Sequence, residues 1–269
     1  MAVANPEEDD IDQSKAPLIE HLIELRKRLI YCLIAFMVAF FFCYMFAQNI
    51  YNFLLIPYRL AVGGETRIEM IYTAPQEFFF TQLRVSFFGA LVLSFPMLAT
   101  QLYMFVAPGL YRSERKTFLP YLFATPILFI LGGAIVFFIV MPLAMRFFLS
   151  MQQAGDGQVH IQLTAKVSEY LHLITTLIIA FGLCFQLPVV LTLLARVGMV
   201  SSQWLRAQWR YAVVIIFAVA AVLTPPDVLS QTGLAIPTLL LYELSILSVK
   251  MVERQRAAKE KREAQSQGE

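Results

Sequence analysis

Hydrophobic positions in this chain do not alternate with polar ones at the spacing of a half-buried strand or a surface helix; they run on. Intervals free of Asp, Glu, Lys and Arg cover residues 29–58, 85–111, 117–145, 170–195, 211–226 and 228–242, with lengths of 30, 27, 29, 26, 16 and 15 residues. About 20 apolar residues carry a helix across the roughly 30 Å of bilayer hydrocarbon, so the first four runs predict spanning helices with residues to spare. The last two stay uncharged over only about 24 and 22 Å at the helical rise. They predict either a re-entrant hairpin or a pair of crossings in a thinned bilayer. Their connector, Thr224-Pro225-Pro226-Asp227, reads as a tight turn with a helix-starting proline and an Asp cap on the second helix. The simplest architecture is an all-α integral membrane protein with six transmembrane helices, the last two short.

The polar intervals divide the chain into an N-terminal segment (1–28) with an amphipathic lead-in helix, a six-helix domain (29–249) and a charged tail (250–269). Two loops, 49–83 and 146–169, fall on one side of the membrane. The first contains the Gly63-Gly64 break and a moderately apolar stretch, and is expected to pack as a short cap over the bilayer; the second carries Gly155-Asp156-Gly157. Neither is long enough for a catalytic domain. The tail interleaves Lys, Arg, Glu and Gln at helical spacing, which reads as a solvated helix or an extended end. No internal repeat is evident, which weighs against an inverted-repeat transporter.

Net charge, +2, says little about such a chain; the placement of the cations says more. Sixteen of the 21 lysines and arginines lie in the N-terminal segment, the loops after the second and fourth runs, and the tail. Arg59, Arg67, Arg84, Arg146 and Lys166 lie opposite. This bias predicts both termini in the cytoplasm. The first residues include the acidic stretch 7–12, unlike the basic start of a cleavable signal peptide.

Composition agrees: 58% of residues are hydrophobic and 15% charged, with a mean hydropathy of +0.65, which excludes a water-soluble globular domain. Cys32, Cys43 and Cys184 lie inside apolar stretches without metal-ligand spacing and read as packing residues. His21, His160 and His172 belong to no HExxH, and there is no GxSxG, intramembrane GxGD or phosphate-binding glycine loop. No enzyme, metal or cofactor is therefore expected.

The clearest constellation precedes the first run: His21-Leu22-Ile23-Glu24-Leu25-Arg26-Lys27-Arg28-Leu29. Glu20, Glu24 and Arg28, four apart, share a helix face, as do Leu18, Leu22, Leu25 and Leu29. The plain reading of Arg26, Lys27 and Arg28 is that they anchor a helix end at the interface. Glu24 contributes nothing to such anchoring, and reads as a recognition group or an internal counter-ion.

This segment resembles the N-terminal signature of the TatC family, the membrane receptor subunit of the twin-arginine protein translocase. The stretch Gln101-Leu102-Tyr103-Met104-Phe105-Val106-Ala107-Pro108-Gly109-Leu110-Tyr111, followed by Glu114-Arg115, is similar to the family's first cytoplasmic loop. Phe181-Gly182 with Phe185 and Pro188, and the stretch from Leu223 through Thr224, Pro225, Pro226 and Asp227 to Gln231, are similar to its fourth helix and last outward turn. The resemblance runs in order from about residue 17 to 249.

It implies a receptor in the bacterial inner membrane that binds the paired arginines of signal peptides on folded cargo, self-associates, and works with single-span partners of the TatA and TatB type. Export would draw on the proton-motive force, with no cofactor and no nucleic acid. Two adjacent guanidinium groups call for fixed carboxylates, for which lysine is a poor match. Carried over by position, Glu24 and Glu114 are the signal-peptide recognition residues, with Arg26 of the same lead-in segment contributing to binding and Phe105 and Pro108 as the loop framework. Gln186, Thr224, Pro225, Pro226, Asp227 and Gln231 are expected to dock partner helices. In place of the glutamate common in the family's fourth helix, this chain has Gln186, which hydrogen-bonds but cannot titrate; the plain alternative is a bond within the chain near Pro188. A six-helix transporter of small solutes or ions is the competing function, and the absence of ionisable residues deep in the runs counts against it.

Overall fold

The computed structural model describes residues 6–63, 70–106, 115–154, 160–161, 164–224 and 228–266. Five spans are long and apolar enough to cross a membrane: His21–Met45, Glu77–Phe105, Pro120–Ser150, Val167–Arg196 and Ser230–Ala258. The shorter apolar helix Trp209–Leu223 makes the sixth. Six crossings place the two chain ends on one side, here called the terminal side, and the loops after the first, third and fifth spans on the far side.

Helix α1 (Pro6–Met45) runs unbroken through residue 28, so the amphipathic lead-in and the first span are one rod about 60 Å long. It lies against α4 (Glu77–Val106). Its other faces show Leu33, Val38, Phe41, Phe42 and Met45 to the surroundings, a surface suited to lipid and not to water. The third span consists of α5 (Arg115–Ile135), a π-helical turn (Val136–Val140) and α6 (Met141–Ser150). The fourth is α7 (Val167–Cys184) followed by α8 (Leu187–Val197). The break has a local cause. Pro188 has no N–H to donate, and the Gln186 N–H bonds to Leu183 O, one residue short of its helical partner.

Helix α7 is the hub. Leu171, Ile174, Leu177 and Phe181 recur at helical spacing and are fully buried where α7 meets α4, α5 and the π-helical turn, while Tyr170 reaches Leu54 O of the short helix α2 (Ala47–Leu54) and the Tyr58 ring of α3 (Ile56–Val62). Glycine permits the closest approach. A Cβ on Gly132 of α5 would stand 2.8 Å from Phe181 O, and one on Gly182 would stand 2.5 Å from the Phe129 ring.

On the far side the described part of the loop 49–83 is largely structured. It consists of α2 and α3, which ends at Gly63 with φ +85°, and strand β1 (Met70–Ile71), with α4 beginning already at Glu77. The second loop contributes strands β2 (Gln153–Ala154), β3 (His160–Ile161) and β4 (Ala165–Lys166). Strands β2 and β3 pair antiparallel, while β4 joins β1 in parallel, with Met70 opposite Ala165 and Ile71 opposite Lys166. Glu77 ties these loops together by accepting from the Thr73 N–H at 2.8 Å and Thr73 Oγ1 at 3.0 Å, with Lys166 Nζ at 3.7 Å.

The final pair departs from the expected symmetry. Helix α10 (Trp209–Leu223) is short, as its charge-free run predicts. Helix α11 (Val228–Ser266) continues far past its run, carrying Glu243 and the basic tail. The run measured the uncharged part of the helix and not the helix. Glu243 is exposed and meets Arg206 of α9 (Ser202–Ala207) at 3.2 Å, while Glu253 accepts from the Ser202 N–H at 2.8 Å, capping α9 from the tail.

Candidate functional site

The terminal side of α1 and α4 gathers the residues singled out in the sequence. Glu24 and Arg28, one helical turn apart on α1, form an ion pair in the favourable order, with the acid N-terminal to the base. Arg28 Nε and Nη2 both reach Glu24 Oε1, at 2.9 and 2.5 Å. The third guanidinium nitrogen, Nη1, donates to Oε1 of Gln101 on α4 at 3.3 Å. One turn of each helix further out, the rings of His21 and Phe105 stack at 4.2 Å between centres, 17° apart. The pair α1 and α4 is thus clasped at this end by one polar and one aromatic contact.

Phe105, expected in a loop, lies in the last turn of α4. Arg26 is exposed and takes no part in the clasp. Glu114 immediately precedes α5, and both it and Pro108 lie outside the described residues. Neither Gln101 nor the His21 stack was foreseen, because each depends on a partner far along the chain.

A polar ladder leads from this side to the break in the fourth span. Arg196 of α8 donates from Nε to Tyr121 Oη at 3.1 Å, with its guanidinium carbon 5.2 Å from that ring centre. Thr125 Oγ1 donates to Tyr121 O and lies 2.9 Å from Tyr103 Oη. At the top, Gln186 Nε2 donates to Thr125 O at 3.1 Å and to Gly182 O at 3.2 Å. Gln186 is only 8% exposed, and its Oε1 has no donor among the described residues. The structure therefore gives Gln186 the bond within the chain that was the alternative to docking.

On the far side, Thr224 is buried and donates to Ala220 O at 2.9 Å, and Gln231 Nε2 reaches Phe217 O at 3.4 Å, tying α11 to α10. Pro225, Pro226 and Asp227 lie outside the described residues, so the expected Asp cap does too. Beside Thr224 a cavity of about 510 Å³ opens between α6, α7 and α10, lined by Phe148, Lys166, Glu169, His172 and Leu223. Among the described residues no group of His, Cys, Asp and Glu has the arrangement of a metal site.

Comparison with known proteins shows one family throughout. The family described as Sec-independent protein translocase protein (TatC) matches residues 20–237. The Sec-independent protein translocase protein TatC of Magnetococcus marinus is 47% identical over 251 residues, covering 93% of this chain and 90% of its own length. That of Escherichia coli K12 is 39% identical over 231 residues, covering 86% of each. Among solved structures, the crystal structure of the twin arginine translocase receptor TatC superposes with a TM-score of 0.75 at 33% identity, covering 87% of this chain and 99% of that one.

Proposed function

Because this chain belongs to the TatC family of Sec-independent protein translocase subunits, we propose that it is the receptor and core subunit of a twin-arginine translocase in a bacterial inner membrane, with both ends in the cytoplasm. The observation that carries the reading is the carboxylate of Glu24. It is one-third exposed on the terminal side, oriented by its own helix and by α4, and has an oxygen that no described donor occupies. A guanidinium group takes such an oxygen readily. The second arginine of the pair meets Glu114, the residue before α5 in the sequence, and the Phe105 ring on His21 provides an apolar shoulder for the peptide.

The bias of sixteen cations against five supports the orientation. Partners of the TatA and TatB type dock at the far end of the α10–α11 hairpin, where Gln231 lies, with Asp227 as a further contact. Thr224, Pro225 and Pro226 belong to the same docking segment, and the proton-motive force drives export. Gln186 serves this docking from inside, by fixing α7 and α8 to α5. A solute transporter, the competing reading, gains no support from the family.

Photocrosslinkers at positions 24 and 114 should capture a twin-arginine precursor. Glu24→Ala and Glu114→Ala should each abolish export of strict twin-arginine substrates while the protein stays inserted and abundant. Full export by the Glu24→Gln, Glu114→Gln double variant would overturn the assignment.

A further inference from the structure

Arg28 is described by every simple argument as a topology anchor, yet its side chain points away from the bulk phase. It is only 17% exposed, against 33% for Glu24, and all three of its nitrogens are engaged. The way they are engaged is unusual. A guanidinium and a carboxylate ordinarily meet fork to fork, two nitrogens on two oxygens. Here Nε and Nη2 converge on a single oxygen, Oε1 of Glu24, while Nη1 is held by Gln101 from the neighbouring helix. Gln101 is itself buried. The second carboxylate oxygen, Oε2, has no partner among the described residues.

We infer that Arg28 is a positioning residue for signal-peptide recognition: braced by Gln101, it grips one oxygen of Glu24 and so presents the other, Oε2, to the incoming arginine. This rests on the recognition reading above and specifies how its first carboxylate is prepared. A free glutamate on an exposed helix face samples several rotamers, and a ligand that binds one of them bears the cost of freezing it. Arg28 and Gln101 remove that cost beforehand. They also limit what can bind. With Oε1 taken, Glu24 offers one acceptor in one direction and cannot pair fork to fork with a second guanidinium. Because Arg28 also neutralises Glu24, a second carboxylate is needed to bind a dication, which gives the two arginines of the peptide two unequal partners.

The experiment measures binding of a fluorescent twin-arginine signal peptide, and of its Lys-Lys counterpart, to the full chain in nanodiscs. The variants are Glu24→Gln, Arg28→Ala, Arg28→Lys, Gln101→Leu and the Glu24→Gln, Arg28→Ala double. Arg28→Ala should weaken twin-arginine binding about tenfold, the scale of one misplaced charge-assisted contact. Its preference over Lys-Lys should not narrow, because both oxygens of Glu24 are then open to a guanidinium fork. Gln101→Leu, which leaves every charge in place, should reproduce part of that loss, and Arg28→Lys should recover little.

The discriminating result is the double variant, which should bind no more weakly than Glu24→Gln alone, since Arg28 acts through Glu24. Additive losses in the double variant, or a tighter-binding Arg28→Ala, would overturn the positioning role while leaving the recognition reading standing. If Glu24→Gln itself binds as well as the parent, the recognition reading falls, and the positioning role falls with it.

Discussion

Replacing Gln186 by leucine tests whether the broken fourth span is held by hydrogen bonds or by packing alone. The side-chain amide donates to Thr125 O of α5 and to Gly182 O, the carbonyl left behind when the Gln186 N–H turns to Leu183 O. Side-chain hydrogen bonds between membrane helices average about 0.6 kcal/mol. Two of them amount to about 1.2 kcal/mol, and the variant also leaves Gly182 O without its side-chain donor. Against this, leucine removes Oε1, a buried acceptor with no donor among the described residues.

The balance for Gln186→Leu is a loss of about 1 kcal/mol, which for a chain of this length lowers the melting temperature by about 2–4 °C. Gln186→Glu in its acid form keeps one O–H and so one of the two bonds. It should lose about half as much, about 0.6 kcal/mol, and remain competent for export. Thermal unfolding of the purified chain in one detergent, read by near-UV dichroism, compares the three proteins directly. A leucine variant that melts with the parent, or a glutamate variant that melts as low as the leucine one, would show that packing at Pro188 holds the break and that the amide is incidental.

Two further perturbations probe the surroundings. Gly132→Ala should destabilise more than any change at Gln186, by about 1–3 kcal/mol. Its Cβ would meet the backbone oxygen of Phe181, which cannot move aside, so α5 must part from α7 and stretch the Gln186–Thr125 bond; the same melting assay reads it, and an unchanged melting temperature would refute the close approach. On the far side, single cysteines at Gln231 and along α10 should form disulfide crosslinks in native membranes with cysteines in a TatA- or TatB-type helix. Lengthening α10 by three or four leucines should impair export without affecting signal-peptide binding, and normal export by that variant would show its shortness to be without consequence.

What the sequence made legible and what it hid divides along physical lines. Spans were legible because bilayer thickness imposes a length and an absence of charge that can be counted. The Glu24–Arg28 pair was legible because a helix puts positions four apart on one face. Gln101, the His21–Phe105 stack and the Lys166–Glu77 contact were not, since each joins segments whose adjacency is a matter of tertiary packing. Phe105 shows the limit well: read as loop framework, it completes α4 instead, and Pro108 and Gly109 come only after it in the sequence. Glu77 had no visible role in the sequence, where it is a lone carboxylate ahead of an apolar run; its hydrogen bonds to Thr73 and its contact with Lys166 appear only once β1 and β4 pair.

The ladder from Arg196 to Gln186 constrains mechanism in a way its separate bonds do not. Above Arg196 every group in it is neutral: the Tyr121 and Tyr103 hydroxyls, Thr125 and the Gln186 amide. A carboxylate at the top of the ladder could take up and release a proton; an amide cannot. Gln186 Nε2 presents its two hydrogens to two carbonyl oxygens, an arrangement an ionised side chain could not adopt, since it has none to give. Position 186 in this chain is therefore a fixed joint between α5, α7 and α8. If export here draws on the proton-motive force, the proton is handled by other groups or by the partner helices. The neighbouring α10–α11 hairpin is tied less firmly, Gln231 reaching Phe217 O across a longer and weaker contact of 3.4 Å.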